Sequence, residues 1–523
     1  MTEGVDRMST GFATMSVAAI LAESATRFPD KIAVVVGSQQ TSYRDLWREA
    51  REYAGALEAR GIGHGDPVAV LIPNVADFPR VYYAVLALGG IVVPIHALLK
   101  SEEIEYVLRD SGAKLLVCAA PLLGEGAKGA TLAGVPLASV LIPDDKVDVL
   151  PFARLEDEAR ENTAIETYEP RHPFDTATIL YTSGTTGQPK GAEGCHLALV
   201  EQVNVLLLNT FDLRPDDRVL GCLPLFHTFG QTCAMNASFR AGATIVMVPK
   251  FDGDTALSVM VEQQCTVFMG VPTMYIALLD AASRNVERPP VRYAVSGGAA
   301  IPVALIDKFR ATFGAEIFEG YGLTETSPVA TFNHVGKEPR PGTVGQALWG
   351  VEIGIGNPDR QESVELLPTG DLGEVLIRGH NLMKGYLNRP EDTARAIVDG
   401  WFRTGDLGTL DDEGYLTIVD RTKDMILRNG YNVYPREVEE VLARHPDVGN
   451  SAVFGISHET HGQEIMAAVM LKPGATATGQ DLIDFTMEHI ASYKYPRHIQ
   501  IVESLPLGPS GKVLKRELVA QYG

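Results

Sequence analysis

The sequence predicts an α/β protein: a large N-terminal domain of layered parallel α/β subdomains with a small antiparallel β subdomain, then a small α+β C-terminal domain. Two observations lead there. Short apolar runs such as VAVLIP (68–73), KLLVCA (114–119) and TIVMVP (244–249) alternate with helical segments, the pattern of strands covered on both faces by helices. The end of the chain also has its own character. Residues 422–523 carry 10 Lys+Arg against 12 Asp+Glu, net −2, which leaves −19 of the total −21 on residues 1–421. A length of 523 residues accommodates two to four folding units. The boundary is set near Asp420–Lys423, giving domains of 1–420 and 421–523.

The elements follow in order. Ser42 to Gly61 reads as a helix, with Ser42 capping towards Asp45, and Tyr43, Trp47, Ala50, Ala54 and Leu57 at helical spacing. Gly61 suits a left-handed termination. Val81–Leu99 has 19 residues without a formal charge, but Gly89-Gly90, Pro94 and His96 interrupt it. A buried helix, a Gly-Gly turn and an interior strand explain it better than a membrane span. Ser101–Asp110 and Thr255–Gln264 read as helices between strands. The texture changes after Val335, and from Gly342 to Asp420 short segments (EVLIRG, GYLTIVD) between Gly, Pro and Asp turns predict the antiparallel subdomain. Gly354-Ile355-Gly356 lacks the third glycine of a dinucleotide fingerprint, because Asp359 occupies that place, and reads as a turn. REVEEVLARH, SAVFGIS, EIMAAVML and DLIDFTMEHI supply the helix/strand alternation of the last domain.

Composition narrows the function. The acidic balance argues against nucleic acid or an anionic membrane as a general partner. Cys118, Cys195, Cys222, Cys233 and Cys265 form no CxxC pair and no zinc spacing, which fits reduced thiols and a cytoplasmic location. The first residues lack a signal-peptide pattern, and no stable membrane insertion is expected. The oligomeric state is not legible, a homodimer being one option.

The sharpest chemical signal is TILYTSGTTGQPKGAE, residues 178–193. An apolar strand runs into Thr182-Ser183-Gly184-Thr185-Thr186-Gly187, with Lys190 and Gly191 beyond. Glycines let the backbone fold around an anion, hydroxyls add donors, and Lys190 adds a point charge. Pro-Lys-Gly stands where a Walker A loop has Gly-Lys-Ser/Thr. This segment resembles the phosphate loop of the adenylate-forming superfamily: acyl-CoA synthetases, peptide-synthetase adenylation domains and beetle luciferases. Further motifs occur in that family's order. Phe318-Glu319-Gly320-Tyr321-Gly322-Leu323-Thr324-Glu325 is similar to the second signature, Ser296-Gly297-Gly298-Ala299-Ala300 to the adenine turn, and Trp401-Phe402-Arg403-Thr404-Gly405-Asp406 to the ribose motif. Asp420-Arg421-Thr422-Lys423-Asp424 resembles the hinge and Pro509-Ser510-Gly511-Lys512 the final signature.

The resemblance implies roles. Lys512, His227, Glu325 and Thr182 form the catalytic set, with Glu325 holding Mg²⁺ and Thr324 on the α-phosphate. The 182–187 loop, Lys190, Gly298, Ala299, Glu319, Gly320, Tyr321, Asp406, Arg421 and Lys512 surround the nucleotide. The C-terminal domain is implied to be mobile, pivoting about Lys423 to bring Gly430 and Tyr431 to a pantetheine channel. Leu223-Pro224-Leu225-Phe226-His227-Thr228 is similar to the acyl-site motif, and His227, Thr228, Val271, Met274 and Gly297 are the implied acyl pocket. No acidic residue stands between Leu223 and Ala241, which disfavours amino acid substrates; Arg240 is the one local cation for a dicarboxylate. The implied activity is ATP-dependent acid–CoA ligation through an acyl-AMP. A medium- or long-chain fatty acid is the first choice of substrate, with an aryl acid or carrier-protein loading as alternatives. ATP, Mg²⁺, CoA and a small carboxylic acid are the implied ligands. Luciferase-type oxidation and a non-catalytic nucleotide module are the remaining classes.

Overall fold

Four sheets organise the residues that the computed structural model describes, which are 14–141, 152–182, 188–458, 460–508 and 511–523. The apolar runs form the centres of the first two. A six-stranded sheet runs Leu137–Val140, Leu115–Ala119, Pro67–Leu71, Ile91–Pro94, Thr176–Thr182, Lys190–Cys195. Its pairs are parallel until the last, where Thr176–Thr182 and Lys190–Cys195 form an antiparallel hairpin. A nine-stranded sheet has six parallel strands, in the order Glu316–Tyr321, Tyr293–Ser296, Val267–Gly270, Arg218–Gly221, Thr244–Met247, Ile32–Val36. Antiparallel strands close both edges. The expectation of parallel layers therefore holds in the sheet centres and fails at the rims, where short hairpins finish the sheets.

The uncharged stretch forms the helix, turn and strand expected of it. Helix Asp77–Ala87 is buried at every residue but Arg80, Gly89 turns with φ +71°, and strand Ile91–Pro94 follows. The helix belongs to a core that contains residues of both large sheets, which explains its lack of a polar face. Its Tyr83 hydroxyl donates to Asn236 Oδ1 at 2.7 Å. Among the described residues no helix is long and apolar enough to cross a membrane. Helix Tyr43–Ala59 starts at Ser42, whose side chain accepts from the Asp45 N–H, and Gly61 has φ +82° beyond its end.

The third sheet is antiparallel and comprises Val351–Gly356, Gly373–Gly379, Trp401–Leu410, Ile397–Val398 and Leu416–Arg421. Two expectations are corrected here. Gln346–Ala347 still belongs to the nine-stranded sheet, so the antiparallel sheet begins at Val351. Gly354-Ile355-Gly356 is strand, not turn: a Cβ on Gly354 would stand 2.7 Å from Leu366, and one on Gly356 would stand 2.6 Å from Leu376. These glycines are there for close packing of the sheet face. The fourth sheet contains Tyr431–Val433, Ile426–Arg428, Gly462–Leu471, Val448–His458 and His498–Ile501, and has its own core of Ile426, Val433, Val438, Val453, Ile465 and Leu482.

One buried side chain ties the two large layers at the point that matters for the site. Asn74 Nδ2 donates to the carbonyls of Gly221 (3.1 Å) and Leu223 (2.7 Å), while its Oδ1 accepts from the Leu225 N–H at 3.1 Å. This fixes the start of the Leu223–Gly230 segment from across the layer boundary. Asn74→Ala would take away the partners of the buried Leu223 carbonyl and Leu225 N–H, while Gly221 O keeps its bond from the Val248 N–H at 3.2 Å, and the expected loss is about 2–4 kcal/mol of unfolding free energy, measured by urea titration.

Candidate active site

The site assembles where strand ends of both large sheets, the antiparallel sheet and the C-terminal hairpin meet. Thr182 ends its strand directly opposite Lys190, so the pair brackets the phosphate-loop sequence. Ser183, Gly184, Thr185, Thr186 and Gly187 lie outside the described residues, as do Pro509 and Ser510. Lys190 is held by Asp392 at 3.2 Å, and its ammonium stands 5.3 Å from the centre of the Tyr386 ring.

Tyr386 is a residue that motif reading missed. Its segment runs alongside strand Lys190–Cys195 through Lys384 N–H to Glu193 O (2.9 Å), Glu193 N–H to Gly385 O (3.0 Å) and Leu387 N–H to Gly191 O (2.8 Å). So placed, the Tyr386 hydroxyl donates to Glu325 Oε1 at 2.9 Å. Glu325 sits in the short 3-10 turn Thr324–Thr326 and is buried, while Thr324 beside it is half-buried. Burial pushes the Glu325 carboxyl above its ordinary range, against the Tyr386 hydrogen bond and the charges of Arg421 and Lys512. A desolvated carboxylate of this kind fits a small hard cation such as Mg²⁺, which would relieve the penalty while nucleotide oxygens completed its shell.

Asp406 and Arg421 are directly opposed in the ladder between Trp401–Leu410 and Leu416–Arg421. Arg421 Nε lies 3.2 Å from Asp406 Oδ1, and the Tyr321 hydroxyl donates to Asp406 Oδ2 at 2.6 Å. Strand register thus sets a carboxylate between a guanidinium and a phenol, with Arg421 exposed to solvent on one side. Gly320 precedes Tyr321 at the end of the same strand, and Glu319 is buried just before it. Burial pushes the Glu319 carboxyl up to about 7; Arg436 of the C-terminal region and the N–H groups of Ile301 and Gly342 oppose that shift.

Lys512 enters from the C-terminal hairpin, where Gly508 N–H bonds to Lys512 O at 2.7 Å. Gly511 (φ +78°) fits closely: a Cβ there would meet Val271 at 3.1 Å and Thr273 Oγ1 at 3.2 Å, and the Thr273 hydroxyl donates to Gly511 O at 3.3 Å. The Lys512 chain passes over Gly298 (φ +81°), with Cε 3.4 Å from the place of a Cβ. Burial pushes the Lys512 ammonium down to about 8, helped by Arg421 and opposed by Asp406 and Glu325. The structure therefore brings Lys512, Gly298, Asp406, Arg421 and Glu325 together. Ala299 is exposed beside Gly298.

The acyl-pocket residues are neighbours of this cluster. Burial pushes the His227 imidazole down to about 4, with Lys512 adding to the shift, so the ring is neutral; its Nδ1 accepts from the Phe229 N–H at 3.2 Å. The Phe229 ring lies 3.3 Å from where a Cβ on Gly297 would stand. Val271 reaches both Gly511 and Gly298, Met274 is buried, and Thr228 is buried with a hydroxyl that finds no partner among the described residues. His96 packs edge-on against Phe226 with ring centres 4.1 Å apart, a contact between distant segments that no local pattern signals. Arg240 is drawn away, bonding Glu23 of the first helix, Ala18–Arg27. Gly430 (φ +79°) and Tyr431 lie on an exposed turn of the fourth sheet, Tyr431 against the Tyr493 ring at 4.8 Å, and Lys423 is exposed two residues after Arg421.

Removing the Tyr386 hydroxyl deletes a hydrogen bond that favours ionised Glu325. Tyr386→Phe is expected to raise the Glu325 pKa further above its ordinary range, read by NMR titration of labelled glutamate, and to weaken Mg²⁺ binding in parallel.

Comparison with known proteins agrees with this geometry. Residues 21–387 match the family described as AMP-binding enzyme, and residues 437–512 match the AMP-binding enzyme C-terminal domain. A long-chain-fatty-acid–CoA ligase of Bacillus subtilis (strain 168) is 34% identical, over 96% of this chain and 94% of that protein. A feruloyl-CoA synthase of Amycolatopsis is 33% identical, over 95% and 96%. The crystal structure of ATP-bound MatB from Rhodopseudomonas palustris superposes with a TM-score of 0.87 at 32% identity, over 97% of this chain and 99% of that one. With matches to both parts of the family and relatives aligned along nearly the whole chain, the protein belongs to the AMP-binding, adenylate-forming enzymes.

Proposed function

We propose that the protein is an AMP-forming acid–CoA ligase. It joins a carboxylic acid to ATP as an acyl-AMP with release of pyrophosphate, then passes the acyl group to CoA. The observation that carries this reading is the Lys512 ammonium, buried among Glu325, Asp406 and Arg421 over Gly298. A carboxylate and an α-phosphate repel as they approach, and a fixed cation between them offsets that repulsion in the transition state. In the first step a carboxylate oxygen bonds to the α-phosphorus and the bond to pyrophosphate breaks. In the second the CoA sulfur bonds to the acyl carbon, its proton is lost, and AMP departs with the electron pair.

The chain's residues divide the work. Asp406 accepts from the ribose hydroxyls, with Arg421 and Tyr321 orienting it; Thr182 and Lys190 flank the phosphates, and Thr324 meets the α-phosphate. Mg²⁺ on Glu325 would supply charge neutralisation for the phosphates. Gly298, Ala299 and Gly320 give the adenine a flat wall, and His227 stays neutral as a wall of the acyl site. The domain boundary is proposed at 420/421. The C-terminal domain would pivot about Lys423, withdrawing Lys512 and presenting Gly430 and Tyr431 to pantetheine. A medium- or long-chain fatty acid suits the apolar Val271 and Met274 lining and the name of the Bacillus relative. An aryl acid is the second reading, favoured by the Phe229 ring on Gly297 and by the feruloyl relative. A cytoplasmic location accords with five buried free thiols.

The test is AMP release and pyrophosphate exchange across aliphatic and aryl acids, with and without CoA. Exchange with no acid would overturn the proposal. Lys512→Ala is expected to slow adenylation about 10²–10³-fold while still converting supplied acyl-AMP to thioester. Since the ammonium form is the active one and its pKa is lowered to about 8, adenylation kcat/KM should fall as pH rises through that value. Lys423→Pro should leave adenylation intact and slow thioester formation about 10-fold or more in rapid-quench assays, because it blocks a conformational step.

A further inference from the structure

The tip of the hairpin between strands Val448–His458 and Gly462–Leu471 carries a cluster that the ligase chemistry does not use. His458, His461 and Glu464 each offer one ligand atom, and these atoms lie within 4.8 Å of one another. The two imidazoles are stacked, with ring centres 4.2 Å apart and planes inclined by 6°. His461 Nδ1 is 3.1 Å from Glu464 Oε2. Among the described residues, His458 Nδ1 has long contacts, accepting from the N–H groups of Thr460 and His461 at 3.3 Å each, with the Thr460 hydroxyl also at 3.3 Å.

Glu464 is ready to act as an anionic ligand. Arg428 Nε and the Ile465 N–H take Oε1, at 2.5 and 2.9 Å, while Oε2 shares Arg428 Nη2 at 2.9 Å and faces the imidazoles. Such a doubly bonded carboxylate keeps lone-pair directions free for a cation. The Asn429 N–H bonds to His461 O at 3.0 Å, and Arg428 pairs with Gly462 in the sheet, so the carboxylate and His461 stand on a braced frame. The exposed His458 is the ring able to adjust.

We propose that His458, His461 and Glu464 form a binding site for a borderline divalent metal of the Zn²⁺ class. Two imidazoles and one carboxylate suit Zn²⁺, Co²⁺ or Ni²⁺ and not Mg²⁺ or Ca²⁺. Bonds of about 2.0–2.2 Å require tetrahedral ligand atoms about 3.4 Å apart, a contraction that a rotation of the His458 side chain supplies. The solvent side leaves the fourth position to water. The ion would lie between His461 Nδ1 and Glu464 Oε2, a proton on Nδ1 passing to Nε2 or to solvent so that the ring binds as a neutral imidazole, and binding clamps the hairpin tip onto the Arg428–Asn429 turn.

The test is calorimetric titration of the chelator-treated full chain with ZnCl2 in excess Mg²⁺, which does not compete for imidazole. The five cysteines are buried, so thiols contribute little. One saturable equivalent is expected, with a rise in melting temperature, and Co²⁺ in its place should give visible absorption bands. His458→Ala/His461→Ala should weaken Zn²⁺ by about 100-fold or more and abolish the melting shift, with metal-free circular dichroism and melting unchanged. Equal Zn²⁺ affinity in this variant and the parent, or no saturable equivalent in the parent, would overturn the proposal. Because the readouts are metal affinity and melting, the outcome is independent of any ligase activity.

Discussion

A desolvated cation is the constraint around which the site is arranged. Removing Lys512 from water disfavours its charge, and Arg421 adds repulsion; Asp406 and Glu325 compensate in part. What remains unmet is a demand for negative charge at the centre of the cleft. A triphosphate and a carboxylate meet that demand together, so the free protein is predisposed towards the ligands it must bring into contact. The acidic balance of the whole chain makes this local arrangement more selective: polyanions are attracted only where cations have been gathered.

The means of gathering them are mostly backbone means. Asp406 faces Arg421 because the ladder pairs those two positions. Thr182 faces Lys190 for the same reason. Tyr386 reaches Glu325 because its segment runs alongside an adjacent strand. Lys512 is the exception, carried on a hairpin that docks through Gly511 against Val271 and Thr273. Lys512, the group proposed to withdraw between half-reactions, is thus placed by docking of its loop and not by strand register.

Much of this is legible in the sequence. Helix Tyr43–Ala59, the helix–turn–strand of residues 77–94 and the central strands follow from cap residues, periodicity and apolar runs, which are local properties. The candidate site residues are legible as candidates because their spacing repeats a known family order. Tyr386, Asn74 and Asp392 are not, since each acts on a partner far away in sequence and none sits in a recognisable motif. Gly354-Ile355-Gly356 misleads for a related reason: glycine signals a turn locally, but here it answers to the side chains of Leu366 and Leu376 across the sheet. Glu319 also reads differently in three dimensions. Its sequence neighbours are proposed nucleotide contacts, while its carboxyl is influenced by Arg436 and Glu440 of the C-terminal region, so the residue reports on the approach of the two parts of the chain.

Asn74 has a consequence for how such an enzyme diversifies. It grips the Gly221–Leu225 stretch by main-chain groups alone, and the hold is indifferent to which side chains that stretch carries. Mutations at Phe226, His227 or Thr228 can reshape the proposed acid compartment while the ribbon beneath keeps its course. Substrate range can drift in a lineage without each change having to rebuild the scaffold.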